Sequence, residues 1–98
     1  MTAAEDSGDA VEATFIVKSE LGLHARPAGR FVSVAGGFEA EVQVARGDEW
    51  VSGKSVLSLL SLAASPGTEL RIRAVGPDAR AAVEALGSVL EEPESAGA

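Results

Sequence analysis

Residues 38–45, FEAEVQVA, alternate apolar and polar side chains along their whole length. Phe38, Ala40, Val42 and Val44 face one way; Glu39, Glu41 and Gln43 face the other. Successive side chains of an extended chain leave opposite faces of a sheet, so this spelling predicts a strand with one dry and one wet face. Strands covered on both faces read instead as unbroken apolar runs. A one-sided strand implies an antiparallel sheet with helices on a single face.

The flanking segments supply that cover. Downstream, Arg46-Gly47-Asp48 reads as a hairpin turn into a short strand, EWVSG, rather than as an adhesion tripeptide. Alternation turns Trp50 to the open face of the sheet and Val51 to the core. Residues 55–62, SVLSLLSL, predict a short helix with Ser55 as N-cap, closed by Ser65-Pro66-Gly67. TELRIRAV alternates again, with Leu70, Ile72 and Ala74 inward. Its Arg71 and Arg73 are expected to pair with Glu39 and Glu41 across the open face. Gly76-Pro77-Asp78 predicts a last helix, with Pro77 at N1 or Asp78 at the N-cap. Its apolar stripe is Ala79, Ala82, Val83, Leu86 and Val89 or Leu90.

Upstream, ATFIVK at 13–18 predicts a strand with Phe15 and Val17 on one face. Ala28, Phe31, Val32 and Ala35 follow at helical spacing. Gly36-Gly37 offers that helix a left-handed stop. The element order is β-α-β-β-α-β-α. The expected fold is α+β, an open-faced sandwich: a four-stranded antiparallel sheet with three helices on one face.

Ninety-eight residues suit one domain. Of the formal net charge of −7, residues 1–12 carry four acids and no base, and residues 91–98 carry three acids and no base. The segment between them is balanced, with eight acids and eight bases. Residues 1–12 and 93–98 are therefore expected to be disordered acidic tails around a domain spanning 13–92. No basic surplus exists to neutralise phosphates, so nucleic acid is not an expected partner. With no cysteine and one histidine, neither disulfides nor a metal site is expected. The start lacks the basic and apolar regions of a secretory signal, and no run is long enough to span a membrane. A cytoplasmic location is expected.

The single histidine, His24, lies in residues 20–31, ELGLHARPAGRF. Gly22 frees the backbone before it, and Leu21 and Leu23 are expected to anchor the stretch. Pro27 fits a helix's first turn, where amide groups have no intrahelical acceptor. His24 therefore falls at or beside the N-cap, the end of the helix that attracts anions. Arg26 adds a fixed charge whose donors match phosphate oxygens, and Arg30 follows one turn later. The chain has no nucleophile elbow and no phosphate-binding glycine loop. What remains is the imidazole itself as a nucleophile. On residues and spacing alone two readings stand: a weak helix cap, or an acceptor for a phosphoryl group or another anion.

The segment GLHARPAGRF resembles the active-site segment of the HPr family, the histidine-containing phosphocarriers of the bacterial phosphoenolpyruvate-dependent sugar phosphotransferase system. GKSVLSLLSLAASPGTEL resembles that family's regulatory-serine region and the strand after it, at a matching separation. The resemblance covers about residues 13–92. It implies that His24 accepts a phosphoryl group on Nδ1 from enzyme I and passes it to sugar-specific IIA components, with Arg26 stabilising the group. It implies that Ser55 is the serine modified by an HPr kinase/phosphorylase, beside the N-cap reading that its position already explains. Val56, Leu57 and Leu60, with Arg30 and Lys54, match the surface that docks partners. Leu57 stands where many relatives have methionine, and Ser58 where they often have glycine. The implied protein is a monomeric carrier, itself the substrate of other proteins rather than an enzyme, and it needs no cofactor.

These residues do not distinguish a sugar branch from a nitrogen-related or dihydroxyacetone branch. A hydrolase of acylphosphatase type has similar size and order but requires an asparagine, and this chain has none. A regulatory homologue acting through Ser55 alone would lack the histidine.

Overall fold

The structure, a computed structural model, describes residues 10–93. Its elements are β1 (Ala10–Ile16), α1 (Ala25–Ala35), β2 (Glu41–Arg46), β3 (Glu49–Ser52), α2 (Val56–Ser61), β4 (Glu69–Val75) and α3 (Ala79–Glu91). The strands form one sheet in the order β1-β4-β2-β3, and every pairing is antiparallel. The expected open-faced α+β sandwich is the fold observed.

The inward residues of the alternating strands make the floor of the core: Val42 and Val44 from β2, with Leu70, Ile72 and Ala74 from β4. Helix α1 lays Ala28, Phe31 and Ala35 on that floor, and α3 lays down its whole stripe, with both Val89 and Leu90 buried. Phe31, Leu70, Ile72 and Leu86 are wholly enclosed. Burying each such side chain stabilises the fold by about 1.5–3 kcal/mol. Gly87 lets α3 sit close on the sheet, because a Cβ there would overlap the Phe15 ring.

Strand β1 begins before the expected position. Ala10, Val11 and Glu12 stand opposite Val75, Ala74 and Arg73, so these residues belong to the sheet and not to a tail. Ala-Val-Glu has no marked alternation of its own; the length of β4 decides where its partner begins. Residues 1–9 and 94–98, the remainder of the two acidic tails, lie outside the described residues. At the other end β1 stops at Ile16, because the Val17 and Lys18 N–H groups turn to the carbonyls of Thr68 and Leu90.

Two further expectations are corrected, and one is met in position only. Gly36 ends α1 in right-handed geometry, at φ −64°, and the turn closes through Gly36 N–H to Val32 O and Gly37 N–H to Val34 O. Asp78 is the N-cap residue of α3, but its carboxylate does not cap that helix. It accepts instead from the N–H groups of Glu39 and Ala40, both at 2.9 Å, and so holds the entry to β2. On the open face Glu41 stands opposite Val75, beyond the arginines. Arg71 pairs with Glu12 at 3.5 Å and lies 4.9 Å above the Trp50 ring. Trp50 is on the open face as expected, opposite Ala45, which the packing there buries.

Candidate functional site

The chain passes from β1 to α1 through residues 17–24, and this connection is tied to the one between α2 and β4. Val17 O accepts from Gly67 N–H at 2.8 Å, and Leu23 N–H donates to Ala64 O at 2.8 Å. Gly22, at φ +76°, is pressed against the same Ala64 carbonyl so closely that a Cβ would overlap it. The positive φ and the close approach together require glycine. Leu23 is buried and anchors the loop, as expected. Leu21 does not: it is 75 % exposed, because Gly22 reverses the chain between the two leucines.

His24 is the N-cap residue of α1, with extended backbone at φ −92° and ψ −170°. Its carbonyl accepts the first helical bond, from Ala28 N–H at 3.0 Å, while its side chain makes no capping bond. The geometry thus removes the weak-cap reading. The residue is half-buried. Arg26 is the second residue of the helix and exposed, and the first turn carries no acidic residue. A negative group on the imidazole would meet the favourable end of the helix dipole, with no carboxylate in the first turn to repel it.

The other expected site residues divide. Ser55 is the N-cap of α2, and its Oγ accepts from Ser58 N–H at 3.2 Å. In α2, Leu59 is buried, Val56 and Leu60 are half-buried against the core, and Leu57 is 79 % exposed. Arg30 is engaged by Glu92 at 3.1 Å, an exposed pair that salt screens and that holds the arginine only weakly. The Lys54 ammonium donates to the Phe38 carbonyl at 3.1 Å. Helices α1 and α2 pack side by side, so the imidazole and the exposed leucine belong to neighbouring elements. Among the described residues no cluster of His, Cys, Asp and Glu could hold a metal, and no helix is long and apolar enough to cross a membrane.

Residues 11–92 match the family model for the PTS HPr component phosphorylation site. The chain belongs to the HPr family. The phosphocarrier protein HPr of Haloferax volcanii is 42 % identical over 87 residues, covering 87 % of this chain and 98 % of that protein. The multiphosphoryl transfer protein of Haemophilus influenzae is 38 % identical over 86 residues, covering 85 % of this chain. Against that longer protein the HPr-family chain spans only 17 % of the length. Among solved structures, a phosphocarrier protein HPr from Bacillus anthracis superposes with a TM-score of 0.79 at 34 % identity, covering 83 % of this chain and 96 % of that one.

Alternation and helical spacing were sufficient for the open-faced sandwich, and the resemblance of the His24 segment pointed to the HPr family. Two placements had no local signal. Ala64 acts through its carbonyl, which no sequence pattern marks. Leu21 looked like a core leucine, and only the positive φ of Gly22 turns it outward.

Proposed function

We propose that this chain is a phosphoryl carrier that accepts a phosphoryl group on His24 from phosphorylated enzyme I and passes it to IIA components of the phosphotransferase system, acting in the cytoplasm. The observation that carries the reading is the His24 imidazole, stationed at the α1 N-cap without capping it, in a chain of the HPr family. In each transfer an N–P bond forms at the ring as the bond between phosphorus and the donor breaks. The return step reverses this toward the next acceptor. Arg26 offers donors to the phosphoryl oxygens. A shallow site at a helix start suits a carrier better than a closed pocket, since the group must leave as readily as it arrives. Leu57, flanked by Val56 and Leu60, supplies the apolar contact for these partners, with Arg30 and Lys54 as basic neighbours. A second input is phosphorylation of Ser55 by an HPr kinase/phosphorylase, which places a dianion at the start of α2 beside that contact.

Incubation with phosphoenolpyruvate and enzyme I, read by intact mass, should add one phosphoryl group that acid removes. His24→Ala should abolish it. An acid-stable adduct, or uptake that survives the substitution, would overturn the assignment.

A further inference from the structure

Helix α2 ends in a left-handed residue that is not glycine. Ala63, just past the C-cap Leu62, has φ +51° and is the sole described non-glycine residue with positive φ. A Cβ makes that conformation unfavourable, which is why glycine usually fills the position after a helix. Something outside the turn must hold it. Arg46, at the end of β2, does so: its Nη1 donates to Leu62 O at 2.8 Å and to Ala63 O at 3.4 Å. The next carbonyl along, Ala64 O, is the one that receives Leu23 N–H and against which Gly22 is pressed. Leu23 is followed directly by His24.

We infer that Arg46 is a positioning residue for His24: it fixes the left-handed turn at Ala63 and thereby the Ala64 carbonyl on which the His24 loop is seated. Arg46 touches neither the ring nor anything bound to it. Its effect passes through two carbonyls and one backbone hydrogen bond. The functional consequence rests on the phosphoryl-carrier reading, whereas the structural linkage does not.

The test uses the full chain with Arg46→Met, which keeps the aliphatic stem and removes the donors. Amide exchange of Leu23 should accelerate about fivefold, the factor commanded by one net hydrogen bond. Exchange at Ile72, in mid-sheet, should be unchanged, and the His24 ring resonances should shift. Adding Ala63→Gly, which no longer needs the turn held by force, should restore both Leu23 protection and the ring resonances. Equal acceleration at Leu23 and Ile72 would show only a general loss of stability and would overturn the inference. So would an unchanged Leu23, unmoved ring resonances or failure of Ala63→Gly to rescue. Phosphoryl uptake, measured in parallel, should slow in Arg46→Met and recover in the double variant; uptake that is unchanged would also overturn the positioning role. Failure of the wild-type chain to take up phosphoryl at all would overturn the carrier reading instead, and Leu23 exchange would still decide the linkage.

Discussion

Asp78 illustrates how a single side chain can join distant segments. Its carboxylate receives two backbone N–H groups, from Glu39 and Ala40, at the point where the chain enters β2. The Glu39 bond is foremost in holding its pKa below the ordinary 3.8, with Ala40 and the charge of Lys54 adding to it against the opposing effect of desolvation. The folded value lies below the unfolded one, so the carboxylate contributes stability above about the ordinary value and loses it as pH falls through the folded value. In Asp78→Asn that contribution is absent at every pH. The stability gap between wild type and variant, from urea unfolding, should be full at neutral pH and narrow on acidification below 3.8. A gap that stays constant into acid would refute this. Gly76 adds a steric condition nearby: at φ +149°, its added Cβ would lie 2.8 Å from the Ala40 Cα. The connection between β4 and α3 is therefore built to let the start of β2 approach.

At the scale of elements, α2 is the most exposed to change. Six residues bury only Leu59 within the helix, so packing contributes little and the N-cap matters in proportion. Removing the Ser55 Oγ leaves Ser58 N–H without its acceptor. Ser55→Ala should therefore cost about 1 kcal/mol in denaturant unfolding. A phosphoryl group added at Ser55 by ATP and an HPr kinase keeps oxygens at the same place. The modified protein should retain wild-type stability and carry an acid-stable mass increase. An unmodified serine would leave it the capping role alone, and a modified protein destabilised as much as Ser55→Ala would contradict the capping account. Helix α1 contrasts with α2. It is eleven residues long and fixed through Ala28, Phe31 and Ala35, so its N-terminus can carry a histidine that does no capping work.

The molecule as a whole is built on one core. Among the described residues all three helices lie on one face of the sheet, and on the opposite face Arg71 reaches over Trp50 and bonds Gly47 O. Trp50, the one tryptophan, reports on that face, while far-ultraviolet dichroism reports chiefly on the helices. A single core predicts cooperative unfolding, so the two signals should give coincident urea transitions. An earlier fluorescence transition would show that the β2–β3 hairpin melts by itself at the sheet edge. Helices α1 and α2 share that core without being central to it. His24 stands at a helix start and Leu57 on a short helix, so neither takes part in the pairing of the sheet.

What the sequence by itself determined is what local periodicity can carry. FEAEVQVA and TELRIRAV announce which face of each strand is dry, and Ala28, Phe31 and Ala35 announce the helix whose first turn follows His24. The lone imidazole and Ser55 were legible because a helix start is written within a few neighbouring residues. Only the tertiary structure decided what depends on segments far apart in the chain. The register of β1 against β4 begins the fold at Ala10, Arg71 meets Glu12 rather than Glu41, Asp78 serves β2 instead of its own helix, and Arg46 reaches the turn behind His24. The reason is physical. Burial pattern repeats along a chain and can be read from it, whereas a hydrogen bond between two loops exists only once packing has fixed the distance between them.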